Sequence, residues 1–130
     1  MTDHPTNRKP TNAEIKILRV IWEHGTLSVR QVYDFLSQRE KIGHTTVLKI
    51  MQIMTEKGIL ARDTTVRPQI FRAAQPQRQT QKLMLRDLLD RAFGGSPGDL
   101  ALQALSIRKS TPRELREIRD LLDKLEEENS

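Results

Sequence analysis

Residues 43–58, with the sequence GHTTVLKIMQIMTEKG, constrain the fold more than any other part of this chain. Val47, Ile50, Met51 and Met54 recur at i, i+3, i+4 and i+7, a spacing typical of a helix that buries one stripe. The neighbouring stripe contains no acid and consists of Thr45, Leu48, Lys49 and Gln52. Such a helix fits either an ordinary amphipathic surface helix or a recognition helix in a DNA major groove.

The residues before this stretch predict two bracing helices. Residues 11–14, TNAE, fit a capping box that opens the first helix, and Gly25 fits a glycine that ends it. Residues 28–31, SVRQ, fit a second capping box, and the helix they open runs to about Gln38. A polar turn over residues 39–43 then leads into the third helix. This order of helix, helix, turn and helix is typical of the helix-turn-helix motif.

Two short alternating runs, residues 59–64 and 69–73, follow the third helix and predict a β-hairpin that would form the wing of a winged helix. Arg67 would lie at its tip, and Arg62 and Arg72 on its strands. These arginines fit either solvated strand faces or contacts with phosphate and the minor groove. The residues that we expect to bind DNA are His44, Thr45, Thr46, Leu48, Lys49, Gln52, Arg62 and Arg67.

From residue 76 onward the sequence predicts helices alone. The last of them carries an apolar stripe at 3-4-3 spacing, which favours pairing with a second copy, although the stripe also fits packing within the chain. The residues that we expect to form the dimer are Leu85, Leu88, Leu89, Phe93, Leu100, Leu115, Ile118, Leu122 and Leu125. The predicted fold is mainly α with a small β-hairpin: a disordered arm (1–9), a winged helix-turn-helix domain (10–75) and a three-helix dimerisation region (76–130).

The charge distribution separates these parts. Residues 1–75 hold 12 Lys and Arg against 7 Asp and Glu, whereas residues 76–130 hold 10 of each, so the whole net charge of +5 lies in the first part. A basic first part is expected if it binds a polyanion. The rival reading is a winged helix that binds protein and a helical tail that assembles a complex, and such a module needs no basic half.

Other classes of function receive no support from the sequence. The chain has no cysteine, so disulfides and thiolate metal sites are impossible, and His4, His24 and His44 lack metal-ligand spacing. We therefore expect no enzyme activity, no metal and no cofactor. No apolar run is long enough to span a membrane and the N-terminus lacks the pattern of a signal peptide, so we expect a cytoplasmic protein.

Taken together, these motifs resemble the penicillinase-repressor family, the BlaI/MecI/CopY-like winged-helix transcriptional repressors. The matching segments are residues 11–22, 27–32 (LSVRQV), 45–47 (TTV), 56–60 (EKGIL), 93–95 (FGG) and 114–122. The resemblance implies a homodimer that represses genes by binding a palindromic operator in double-stranded DNA. In this family those genes commonly serve antibiotic resistance or metal homeostasis, and a membrane-bound sensor protease encoded nearby often inactivates the repressor.

Carried over to this sequence, the resemblance places Thr45, Thr46 and Lys49 where the family contacts DNA. Leu48 and Ile53 stand where relatives often have basic residues, so base readout is expected to differ, with Leu48 suited to a thymine methyl group. Residues 103–104 are Gln-Ala where some members have an Asn-Phe cleavage pair, which puts induction by that cleavage in question. The absence of cysteine excludes the mechanism of the copper-responsive members.

Overall fold

A computed structural model describes residues 9–129. The helices are α1 (Asn12–His24), α2 (Val29–Ser37), α3 (His44–Glu56), α4 (Gln77–Ala92), α5 (Pro97–Ile107) and α6 (Pro112–Glu128), and the strands are β1 (Leu60–Asp63) and β2 (Ile70–Ala73). Over this range the predicted fold class is therefore confirmed. The predicted arm, residues 1–9, lies outside the described residues apart from Lys9.

The first three helices begin and end as their sequences predict. The Glu14 N–H donates to Thr11 Oγ1 over 3.2 Å, and the Thr11 N–H donates to Glu14 Oε1 over 2.8 Å. Ser28 and Gln31 form the same reciprocal pair at the start of α2. Both predicted capping boxes are thus confirmed, and α1 ends at Gly25, whose φ of 88° favours glycine.

The predicted hairpin is confirmed as well. Strands β1 and β2 pair antiparallel, with Leu60 opposite Ala73 and Asp63 opposite Ile70. A single bridge joins this hairpin to the segment between α1 and α2, through hydrogen bonds of 3.0 and 2.7 Å between Leu27 and Phe71. The bridge fixes the hairpin beside the N-terminus of α2.

One apolar core holds α1, α2, α3 and the hairpin together. Its side chains come from every one of these elements and include Ile17, Leu18, Leu27, Val32, Leu36, Val47, Met51, Met54, Leu60 and Phe71. The predicted stripe of α3 contributes Val47, Met51 and Met54, each 0% exposed, with Ile50 packed against the same core. This burial fixes the rotation of α3 about its own axis.

A partly buried ion pair ties the start of α1 to the end of α3. The Lys57 Nζ donates to Glu14 Oε2 over 2.8 Å, and Glu14 is only 3% exposed. Glu14 therefore caps α1 with one oxygen and binds Lys57 with the other. Burial raises the pKa of the Glu14 carboxyl, but hydrogen bonds from Lys57 and Thr11, with the Lys57 charge, hold it below its ordinary value.

The chain divides into two compact units, and the division falls within α4 between Asp87 and Leu88. The second unit differs from the first because none of its residues up to 129 is buried, those of α5 and α6 included. Leu102 is 70% exposed and Ile107 is 76% exposed. Helices with apolar stripes that remain open to water need a further surface to cover them.

The buried carboxylate predicts a pH-dependent stability. A folded-state pKa below the unfolded one means that the Glu14 carboxylate stabilises the fold above the unfolded-state pKa of about 4.3, and that this contribution is lost as pH falls toward the folded value. Glu14→Gln is expected to lower the free energy of unfolding by about 1–3 kcal/mol at pH 7. The variant is also expected to lose less of that free energy than wild type as pH falls below ~4.3. Urea unfolding between pH 3 and 7 measures both. Glu40→Gln, which removes the exposed Lys16–Glu40 pair, is the control, and a matching profile for the two variants would contradict the role of Glu14.

Candidate nucleic-acid interface

The face of α3 opposite the core is polar and open. Thr45, Thr46, Lys49 and Gln52 are exposed, and their side chains form no hydrogen bond or ion pair with any described residue. Leu48 is half-buried beside them. The one acid of α3, Glu56, is its last residue and so lies at the opposite end from the helix N-terminus. Most of this face therefore offers donors and acceptors that the described part of the protein leaves unused.

The N-terminus of α3 lacks the side-chain cap found at its neighbours. Side chains cap α1, α2, α5 and α6, whereas Gly43 precedes α3 and supplies none. The first backbone N–H groups of a helix have no partner within the helix. Those of α3 are therefore free of a side-chain cap, and together with the helix dipole they favour a bound anion such as a phosphate.

A cleft of about 360 Å³ lies between α3, the start of α2 and the hairpin. It brings together five of the eight residues predicted to bind DNA, namely His44, Leu48, Gln52, Arg62 and Arg67. The other three, Thr45, Thr46 and Lys49, lie on α3 outside this cleft. The helix face and the wing thus belong to one continuous surface.

Sequence reasoning missed Arg30 as a member of this surface. Arg30 lines the cleft from the first turn of α2, and its Cζ lies 5.6 Å from the centre of the Tyr33 ring. That ring meets His44 edge-on with 5.5 Å between ring centres, and Arg30 Nε lies 3.3 Å from Asp34 Oδ1. The sequence did contain a signal that could have identified Arg30, namely the capping box that places it in the first turn of α2. The helix that precedes a recognition helix crosses the DNA backbone, so a cation in that turn is a candidate for phosphate contact.

The wing contributes two further cations to this surface. Arg62 and Arg67 are exposed and have no carboxylate partner among the residues that the structure describes. Between them, Asp63 Oδ1 accepts hydrogen bonds from the Thr65 N–H (2.9 Å) and hydroxyl (2.6 Å). The Thr65 side-chain and backbone hydrogen bonds lower the pKa of Asp63, although it is fully exposed. This turn leads the chain toward Arg67.

Other kinds of site receive little support over residues 9–129. No group of His, Asp and Glu in this range could hold a metal ion. No helix in the same range is both long and apolar enough to cross a membrane. The unpaired cations and unused polar groups of the α3 and wing surface are what a phosphate backbone and base edges would meet.

The three packed helices followed by an antiparallel hairpin define a winged-helix fold. The family model described as penicillinase repressor matches residues 10–124, and the chain belongs to that family. Membership of this family supports a DNA-binding regulator of transcription.

Among solved structures, the chain is similar to "The structure of a MarR family protein from Bacillus stearothermophilus", with 19% sequence identity and a TM-score of 0.50. The match covers 95% of this chain and 77% of that one, and at this identity it shows the fold alone. A search of curated protein sequences found no match.

The turn at Asp63 predicts a local effect on the wing. Asp63→Ala removes the acceptor of both Thr65 hydrogen bonds and is expected to speed amide hydrogen exchange at Thr65 several-fold, whereas Asp63→Asn keeps an acceptor and stays close to wild type. Exchange measured by NMR at neutral pH compares the three proteins. Equal exchange rates for the alanine and asparagine variants would show that the carboxyl oxygen does not hold the turn.

Proposed function

We propose that the protein is a transcriptional repressor that binds a palindromic operator as a homodimer. Each protomer places α3 in a major groove and its wing on the adjacent backbone. The observation that carries the proposal is the single surface on which α3 and the wing present unpaired donors and cations. It is supported by membership of the penicillinase repressor family.

In this arrangement α3 supplies both positioning and readout. The uncapped N-terminus and His44 meet phosphate, and Thr45, Thr46, Lys49 and Gln52 reach base edges or phosphate. Leu48 has no polar group to offer. Its half-buried side chain is suited to the methyl group of a thymine, so we expect a thymine in each half-site near this position.

The wing and the start of α2 contribute sequence-independent affinity. Arg62 and Arg67 line one side of the cleft and Arg30 another. Arginine side chains in such positions neutralise phosphates and release counterions, which makes affinity depend steeply on salt. Arg30 also approaches Asp34, so its contribution is expected to be smaller than that of Arg67.

The homodimer is supported by the exposed apolar residues of the second unit and of α4. Of the residues predicted for the dimer, Leu85, Leu88, Leu115, Leu122 and Leu125 are exposed, and Leu89, Phe93, Leu100 and Ile118 are half-buried. Leu102, Leu105, Ile107 and Leu121, which the prediction omitted, are exposed as well. A second copy would cover these stripes with a matching surface, and the two-fold symmetry would match an inverted repeat.

The alternative is a winged helix that binds protein within a larger assembly. The exposed helices fit that function as well as they fit a homodimer. The basic first half favours DNA, because residues 1–75 carry the entire net charge of +5. Salt dependence separates the two functions, since only binding to a polyanion weakens by a slope of about −0.9 per neutralised phosphate.

Inactivation by a sensor protease remains an expectation from the family resemblance. Residues 103–104 lie within α5, where Gln103 Nε2 donates to Asp99 Oδ1 over 3.0 Å. A protease needs an extended segment, so cleavage here would require α5 to open first.

A substitution at Lys49 tests whether the exposed polar face of α3 contacts DNA bases. Lys49→Ala is expected to cost about 1–3 kcal/mol on a duplex enriched from a random pool, and much less on unrelated duplexes if Lys49 reads a base. If it meets only phosphate, all duplexes weaken alike and the salt slope falls by about one. Fluorescence anisotropy titrations at several salt concentrations measure this. Lys109→Ala, on an exposed residue after α5, is the control, and an unchanged affinity for Lys49→Ala would remove this residue from the interface.

Leu122 tests the dimer. Leu122 is 53% exposed on α6, and Leu122→Glu would place a charge within the proposed interface, so the dimer is expected to dissociate at micromolar concentration. Sedimentation equilibrium measures the mass, and circular dichroism checks that the helices persist. Arg116→Glu, an exposed charge reversal on another face of α6, is expected to leave the mass unchanged. Dimers of equal strength in both variants would contradict this interface.

A further inference from the structure

A second cleft, of about 490 Å³, lies on the first unit and shares no lining residue with the cleft between α3 and the wing. It lies between the segment that follows α3 and the first turns of α4, and all of its lining residues belong to the first unit. One wall is largely apolar, with Ile59 8% exposed, Pro10 buried and Leu83 half-buried. The volume is within the range of pockets that hold small molecules.

The other wall is basic. Arg78, Lys82 and Arg86 recur every four residues along one edge of α4, and all three line the cleft. No acid lines it, and none of the three cations has an ion pair with a described residue. The adjacent acid, Asp87, is ion-paired with Lys9. Like charges at this spacing destabilise a helix, so an anion bound here would relieve a repulsion built into α4.

We propose that this cleft binds a small amphipathic anion, with one carboxylate or phosphate group on an apolar body. The anionic group would meet Lys82 and Arg86, and the apolar body would lie against Ile59 and Leu83. Gly58 also lines the cleft and directly follows the C-cap residue of α3. A ligand in this cleft would therefore touch both the segment directly after α3 and the start of α4. The binding site itself does not depend on the proposed repressor function.

The test uses the full chain and octanoate as the probe, followed by NMR shifts of the Gly58 and Ile59 amides. Octanoate is expected to shift both amides saturably. Octanamide, which lacks the charge, and inorganic phosphate, which lacks the apolar body, are expected to bind more weakly. Lys82→Gln combined with Arg86→Gln is expected to raise the Kd for octanoate about tenfold. The control, Arg108→Gln with Lys109→Gln, removes two exposed charges from the second unit and is expected to leave that Kd unchanged.

Three results would overturn the proposal. The first is the absence of saturable shifts at Gly58 and Ile59. The second is an equal octanoate Kd in the cleft variant and the control. The third is an unchanged octanoate response combined with weakened duplex binding in the cleft variant, which would assign these cations to DNA phosphates. Duplex binding by the wild-type protein is measured in parallel without octanoate. A protein that binds octanoate but no duplex would refute the proposed repressor function and leave this site intact.

Discussion

The burial of one stripe of α3 is the constraint on which the rest of the proposed DNA-binding surface depends. Val47, Met51 and Met54 are fully buried against α1, α2 and the hairpin, and this fixes which side of α3 faces water. The Glu14–Lys57 pair holds the far end of the helix to α1. The packing of α3, and not contacts of their own, therefore orients Thr45, Lys49 and Gln52. Their polar groups have no partner among the described residues and are available to a nucleic acid.

The two units differ in how much of their apolar surface each buries. The first closes a core with Leu27 bridging to Phe71, whereas no residue of α5 or α6 is buried. Only 36% of the residues of this chain are hydrophobic, so the fold has few apolar side chains whose burial can stabilise it. Leaving the leucines of α5 and α6 in water would forgo much of that stabilisation. A second copy that covers them would also set the distance between two recognition helices, which links stability of the second unit to operator geometry.

Much of the first unit could be predicted from local signals, because each element carries its own start, stop and period. The capping boxes at Thr11 and Ser28 and the hairpin after α3 follow from residues close together in the sequence. Lys57 as the partner of Glu14 could not be predicted, since the two lie 43 positions apart and meet only when α1 packs on α3. The same holds for the cleft that joins Arg30 to the wing. The domain bounds at residues 75–76 remain a prediction, and the compact units divide later, within α4.

Selection of bound duplexes from a random pool at near-physiological salt, with the mass of the complex measured alongside, tests the central claim most directly. We predict enrichment of an inverted repeat whose half-sites lie about one helical turn apart or a multiple of it, bound by two chains. A thymine in each half-site would fit the contact expected of Leu48. No enrichment, with only weak and salt-sensitive binding, would contradict the account, as would a single half-site bound by one chain.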